Sequence, residues 1–536
     1  MDDALLAQSS WTLLLSAALL CALVVYAMAP SNAHFKSLPR PASTLPVLGN
    51  TLDLMKYQFP RLHDWITEQC ILHNGKSWAL QALGAPSLIV LSSVETFEDV
   101  LKTQFEIFDK GERMCTIFSD VAGGSIFAVD GDKWKFQRKK FSHLFTMRAF
   151  RDTLTTTVHE KVRILGDVLT KSAHDKDTPI SIGDVFQRFA FDTFAQVGFG
   201  LESSTLASGQ SNSFIDAFTT AGEVLERRFH QPDSLWQLKR FLRIGDEKRL
   251  AECIEQLNKE LYAIIYENLR RKNDPKYAKQ LAARSTKDVV SLFLDELDNE
   301  DKGQSTTAEG LPKVDIKFLR DVALTILGAG KDSTAWTLSW FVINLNRYPH
   351  VAAKIRAELR AKLPQLFTDT QYVPSLDDVD ELVYLEAAIR ESLRLYPILP
   401  LNAKEANTDT TLCDGTFVPK GSRVYIPSYA LGRMPSVWGP DAAEFKVERW
   451  IERDTQTGNE TLIHMSAFKF VSFHAGPRIC LGMRFAIFDL KTSLAYMLSK
   501  YELTTVKPAD QFTYEIASTL AVKGPVMVLV KDIREE

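Results

Sequence analysis

The pattern of apolar and polar positions begins with WTLLLSAALLCALVVYAMA, Trp11 to Ala29, a run without a single charge. As a helix rising 1.5 Å per residue it would reach roughly 28 Å, about the thickness of a bilayer core. Asp2 and Asp3 lead into it and the apolar run is longer than that of a cleaved leader, so it predicts a membrane anchor over residues 1–29 rather than a signal peptide. Lys36 and Arg40 follow the span and no basic residue precedes it. The positive-inside rule then places the rest of the chain in the cytosol. Pro39, Pro41 and Pro46 come close together in SLPRPASTLPVLGN, which predicts a stiff connector over residues 30–50.

Beyond residue 50, SWALQALGAPSLIVLSS predicts two short strands around a turn at Gly84–Pro86. Helical periodicity then dominates to about residue 395, in SIGDVFQRFAFDTFAQVGFG and most strongly from Asp315 to Asn346. Strand signals return from Cys413 to Ile426 and from Thr513 to Val530. Lys272 to Lys313 is charged and weakly patterned, as a surface connection would be. Leu490, Leu494, Met497 and Leu498 fall at helical spacing near the end. The expected architecture is mainly α with small β-sheets, of α+β class, in one large body over residues 51–536.

Composition narrows the function without naming it. The 536 residues carry a net charge of -4 and are 45% hydrophobic and 24% charged, with no basic excess to suggest nucleic acid. Six cysteines lie far apart without a CxxC pair, which argues against a zinc ribbon or a disulfide framework. Each therefore has to be judged by its surroundings.

One of them stands in FHAGPRICLG, residues 473–482, between a turn and a helix. The start of a helix offers free N–H groups and a positive dipole end, which favour a thiolate at Cys480. Gly476 and Gly482 permit close approach by something flat, and Arg478 can meet an anion. This set suits an axial thiolate ligand of haem iron with an arginine on a propionate. A buried structural cysteine is the commoner role for such a residue taken singly, but the set F-x-x-G-x-R-x-C-x-G is far rarer.

Three further segments point the same way. In VALTILGAGKDSTAWTLSWFVINL, residues 322–345, Gly328 and Gly330 each cost about 1 kcal/mol relative to alanine, so close approach to the backbone is expected. Asp332, Ser333 and Thr334 interrupt this apolar run, either as an exposed polar face or as a proton relay at a kink over the cofactor. GAGKDST is not a phosphate loop, because Thr325 stands where the first glycine belongs and Asp332 where a magnesium-binding hydroxyl belongs. YLEAAIRESLRLYP puts Glu391 and Arg394 on one helical face, and Arg449 of EFKVERW can complete a cluster with them; a solvated ion pair is the plainer alternative. GDKWKFQRKKFS places Trp134 and Arg138 one turn apart, which fits a propionate contact or an ordinary amphipathic helix.

With these motifs in this order, the sequence resembles the microsomal cytochromes P-450, haem-thiolate monooxygenases, over nearly its whole length. FEIFDKG (105–111), GGSIFAVDGDKWKFQRK (123–139) and YALGRMPSVWGPDAAEFKVERW (429–450) resemble the branch that hydroxylates fatty acids or alkanes at or near the chain end. The resemblance implies Cys480 as proximal ligand of haem b and Trp134, Arg138, Arg478 and Lys404 as propionate partners. It adds Ala329, Phe473, Gly476 and Gly482 to the haem contacts and makes Glu391, Arg394 and Arg449 a structural cluster. Asp332 takes the acid role in oxygen activation with Ser333 and Thr334 beside it, although the family usually has threonine where Ser333 stands. Val447 replaces a usual proline. Position relative to the motifs suggests Ile117, Phe118, Phe127, Leu327, Ile398, Leu399 and Leu520 as pocket wall.

The same resemblance implies O2, electrons from NADPH through a flavin reductase, and a single-pass location in the endoplasmic reticulum membrane with the catalytic body in the cytosol. Lys135, Lys139, Lys140 and Arg484 form either a docking patch for an acidic reductase or a solvated face. A fatty acid is the expected substrate, with a sterol or other lipid as alternative. A reductase-independent haem-thiolate isomerase or dehydratase and a haem sensor are the remaining readings, and the acid–hydroxyl pair speaks against both.

Overall fold

The computed structural model describes residue 35 and residues 37–57, 60–83, 87–146, 148–175, 177–273, 288–293 and 315–534. The anchor expected over residues 1–29 lies outside the described residues, as do the turn at 84–86 and most of the charged stretch 272–313. Among the described residues no helix is long and apolar enough to cross a membrane.

The longer helices, numbered in chain order, are α1 (Leu62–Leu72), α2 (Glu112–Ala122), α3 (Gly131–Thr146), α4 (Arg148–His174), α5 (Ile182–Phe199), α6 (Ser213–Phe229), α7 (Asp233–Leu242), α8 (Gly245–Asn273), α9 (Ile316–Arg347), α10 (Pro349–Lys362), α11 (Val383–Leu395) and α12 (Met483–Lys500). The strands are β1 (Trp78–Leu80), β2 (Leu88–Val90), β3 (Phe108–Asp109), β4 (Ile180–Ser181), β5 (Asn402–Ala406), β6 (Thr410–Thr411), β7 (Phe417–Val418), β8 (Arg423–Ile426), β9 (Ile451–Arg453), β10 (Glu460–Leu462), β11 (Tyr501–Thr505) and β12 (Met527–Asp532). The architecture is mostly helical with small sheets, in agreement with the periodicity. The expected body is distributed over two compact units, each drawing on separate stretches of chain.

The first unit takes the chain up to Asp109 with Pro400–Ala443 and Ala475–Arg478. Its sheet runs β1-β2-β8-β5-β3. The expected hairpin is there: β1 pairs antiparallel with β2, Ala79 opposite Ile89. β2 then pairs parallel with β8, and β8 antiparallel with β5. Trp78, Ile89, Val90 and Val424 are fully buried, which explains why these short strands read as continuous apolar runs.

The second unit holds Lys110–Leu399, Glu444–His474 and Ile479–Glu536. α9 is its spine, helical without a break from Ile316 to Arg347. Asp315 caps it, its carboxylate accepting from Phe318 N at 3.0 Å, and Pro349 starts the next helix. α5 lies along α9. A Cβ at Gly330 would fall 2.0 Å from the Phe194 ring of α5, so the close approach inferred at that glycine is made by a core aromatic. α12 buries Leu490, Leu494, Met497 and Leu498, as its spacing predicts. The expected strand over 513–530 is confined to β12, which pairs with β11 and β4; ahead of it there is only a bridge between Tyr514 and Val522. Within the stretch read as surface connection, Val289, Val290, Leu292 and Phe293 are buried, and Phe293 meets Phe141 at 5.1 Å and Phe318 at 5.8 Å. Charged neighbours in sequence hid this short apolar element.

Candidate active site around Cys480

The cysteine loop is held by backbone geometry. Cys480 N donates to Phe473 O at 2.8 Å and closes the loop on itself. Within it His474 (φ 60°) and Gly476 (φ 67°) lie in the left-handed region. A Cβ on Gly476 would sit 1.9 Å from the Leu101 carbonyl oxygen, so this position admits only glycine. Gly482 is the N-cap of α12, which places Cys480 two residues ahead of the cap.

Cys480 is exposed, whereas Cys70 is sealed in the core. Burial of its surroundings pushes the Cys480 thiol up, opposed by the Gly482 amide and by the Arg138 charge. The helix start was expected to favour a thiolate; the thiol lies above its ordinary value instead, with desolvation as the largest cause. Arg138 of α3 reaches the same loop, its Nη1 donating to Ile479 O at 2.7 Å. Trp134, one turn earlier, is buried on the same helix. The opposite face leaves Lys135 and Lys139 exposed, with Arg484 exposed on α12 and Lys140 half-buried.

Beneath the loop the acid–arginine cluster is an enclosed network. Glu391 is fully buried and accepts from Arg394 Nε (2.7 Å) and Nη2 (2.8 Å) and from Arg449 Nε (3.0 Å). It also accepts from the Lys446 amide at 2.7 Å and Trp450 Nε1 at 2.9 Å. Ser472 Oγ donates to Leu393 O at 2.8 Å and ties α11 to the residue just before Phe473. Sequence spacing found the three charged members and missed Trp450, the Lys446 amide and Ser472. The tryptophan had a signal, since it ends EFKVERW.

On α9 the otherwise buried helix opens at Gly328 and Ala329, which are exposed, with Asp332 and Ser333 half-exposed beside them. Thr334 is buried and off this opening. Asp332 Oδ1 pairs with Lys331 Nζ at 2.9 Å, a partner that sequence reading passed over. Ser333 Oγ donates to Ala329 O at 2.6 Å and retains acceptor capacity. An accessible sulfur with an amide donor, an arginine on its loop and a stretch of bare backbone in a buried helix are what a flat macrocycle ligated through sulfur requires.

The pocket-wall candidates form two groups. Phe118 meets Phe127 edge-on at 4.9 Å, next to buried Ile117. Leu520 N donates to Ile398 O at 2.8 Å, and Leu520 O accepts from Trp340 Nε1 at 2.7 Å. Leu327 is wholly buried and Leu399 is exposed. A surface cleft of about 480 Å³, lined by Thr116, Trp236, Gln237, Arg240 and Phe241, contains none of them. In the first unit Lys404 is buried on β5 and Arg478 is half-buried in the turn after Gly476.

The Cytochrome P-450 family model matches residues 39–528, and the chain belongs to this family. It is a haem-thiolate monooxygenase whose cofactor is haem b, with electrons drawn from NADPH through a reductase. Similar proteins of near-equal length are Cytochrome P-450 94A1 of Vicia sativa, 31% identical over 85% of this chain and 84% of its own. Cytochrome P-450 CYP94D108 of Paris polyphylla is 32% identical over 92% of each chain. Cytochrome P-450 86B1 of Arabidopsis thaliana is 32% identical over 87% of this chain and 81% of its own.

Ser333 carries a prediction of its own. Ser333→Ala should leave NADPH consumption in place while product formed per NADPH falls by about tenfold, less than for loss of a sole general acid, because Asp332 remains. Peroxide release measured against product reads this directly. Unchanged coupling would remove Ser333 from the proton path.

Proposed function

We propose that this monooxygenase hydroxylates a fatty acid at or near its terminal carbon. The observation that carries the reading of the site is the accessible Cys480 sulfur on a self-closed loop. The substrate class is supported by the phrases shared with the chain-end hydroxylating branch and by an apolar wall in which Phe118 and Phe127 pack together.

In this reading bound haem supplies oxygen activation, and the chain supplies the rest. Cys480 Sγ would hold the haem iron. The Arg138 guanidinium, with Trp134 on the same helix, would neutralise a haem propionate. The Asp332 carboxylate and the Ser333 hydroxyl take protons from solvent and pass them to the opening at Ala329. Ile117, Phe118, Ile398 and Leu520 exclude water from an alkyl chain. Lys135, Lys139 and Arg484 present positive charge to an acidic flavin reductase.

The uncharged run before residue 30 supports a single-pass anchor in the endoplasmic reticulum membrane, followed by a connector over 30–50 and a catalytic body over 51–536. α7 adds to this reading: Trp236 is buried while Leu238, Phe241 and Leu242 are exposed, an apolar face suited to lipid.

Carbonate-washed membranes carrying the protein, incubated with NADPH and medium- and long-chain fatty acids with and without added flavin reductase, test all three parts. Terminal or near-terminal hydroxy acids formed only with reductase are expected. No hydroxy acid despite a normal reduced carbon-monoxide spectrum would end the fatty-acid reading, and loss of the protein in the wash would end the anchor.

A further inference from the structure

The site described above leaves unused a second buried charge network among the described residues of this unit. Arg228, at the end of α6, is completely buried. Its Nε and Nη2 donate to both carboxylate oxygens of Glu247 on α8, at 2.9 and 2.6 Å. Nη1 pairs with Asp120 at 2.8 Å and donates to the Ile117 carbonyl at 3.0 Å. The guanidinium lies 4.3 Å from the centre of the Trp236 ring on α7. Ile117 sits in the middle of α2, where its carbonyl already belongs to the helical ladder, so the arginine takes the second lone pair.

α2 needs such a hold. It has only three turns and is flanked by Gly111 (φ 90°) and Gly123 (φ 54°), so its own connections do not fix its rotation. Its last carbonyls are capped from α9, where Arg320 donates to Asp120 O at 3.0 Å and Val121 O at 2.9 Å. Arg113 pairs with Asp233 and Arg240 with Asp120, tying α2 to α7 at the surface. Among these contacts Arg228 alone grips the backbone at the residue whose side chain, with Phe118, is read as substrate wall.

We propose that Arg228 is a positioning residue for regioselectivity: by holding the Ile117 carbonyl it fixes the rotation of α2, and with it where Ile117 and Phe118 stop the alkyl chain. Turning α2 by ~20° would carry a side-chain tip, about 6 Å from the axis, through roughly 2 Å. That exceeds the advance from one carbon to the next along an extended chain, so a loosened α2 exposes several carbons to oxidation. The inference rests on the reading of α2 as part of the substrate wall.

The test uses full-length holoenzyme in membranes with reductase, comparing wild type with Arg228→Lys, which keeps the charge and loses the planar fork. Arg228→Met combined with Glu247→Gln serves if the lysine variant does not fold, since Asp120 keeps Arg240. Variants are compared at equal reduced carbon-monoxide absorbance, so that loss of haem is not read as loss of selectivity. Backbone hydrogen exchange in peptides from α2 should quicken about tenfold while α9 is unchanged. The ratio of terminal to in-chain hydroxylation should fall at least about fivefold, with NADPH-driven turnover within roughly twofold. Unchanged product ratio and unchanged α2 exchange would overturn the proposal. If wild type makes no hydroxy acid, the substrate reading has failed separately. Affinity for N-dodecylimidazole, read from its Soret shift, then decides: a weakening of about tenfold in Arg228→Lys supports the positioning role, and no change sinks it.

Discussion

Cys480→Ser should abolish the thiolate-type reduced carbon-monoxide band and lower product formation by about a hundredfold or more, equivalent to ~2.7 kcal/mol or more in the barrier. Serine preserves the backbone bond from residue 480 to Phe473 O, so the loop and the melting curve should survive while the ligand is lost. A hydroxyl is a poorer electron donor to iron than the polarisable sulfur it replaces. The other described cysteines are poor substitutes. Cys70 is sealed in the core against Ser92, and Cys115 lies 3.6 Å from an Asp130 carboxylate oxygen. Cys413 is exposed like Cys480, and burial raises the thiols of Cys253, Cys413 and Cys480 alike, but at Cys413 the Asp99 and Asp414 charges add to the rise, as Glu252 does at Cys253. Cys480 is exposed and has a guanidinium and an amide acting on it without a carboxylate. Persistence of the band in Cys480→Ser would place the iron ligand elsewhere.

The second large effect is structural. Glu391→Ala should destabilise the protein by about 3–5 kcal/mol, because it leaves two guanidinium groups enclosed without their counter-charge. Arg394 is as buried as Glu391, and the tryptophan N–H and the Lys446 amide lose their acceptor at the same time. Against a typical total of about 5–15 kcal/mol this is a large fraction, so haem-loaded protein should fall steeply at physiological temperature. Because α11 also holds the chain before Phe473 through Ser472, the cysteine loop should loosen with the cluster. Glu391→Gln keeps the shape and part of the acceptor set and should cost less. Urea melts together with haem content per polypeptide check this; a Glu391→Ala protein within about 1 kcal/mol of wild type would show that the cluster does not brace the loop.

How far the sequence alone reached can be judged element by element. The apolar period in residues 316–347 and 483–500 dictated α9 and α12, because a helix with one buried stripe writes its period into the chain. The spacing around Cys480, the Glu391–Arg394 pair one turn apart and the Trp134–Arg138 pair were legible for the same reason: each set is local. The short strands were less so. β1 and β2 were readable as a hairpin, but the parallel pairing of β2 with β8, more than 330 residues away, has no local signature.

Tertiary structure decided what depends on neighbours from other segments. The thiol of Cys480 is raised because surrounding protein removes water, opposed by the Gly482 amide and by Arg138 from a helix distant in sequence. Only the folded chain shows that Asp332 is paired with Lys331, that Thr334 is turned into the core, and that Glu391 gathers donors from two stretches more than 50 residues apart. The Arg228 network joins α2, α6, α7 and α8, and no periodicity marks it. Short-range rules specify which side chains share a face. Desolvation and long-range pairing specify which charges meet, and for this protein that includes how the cysteine loop is braced and how α2 is held.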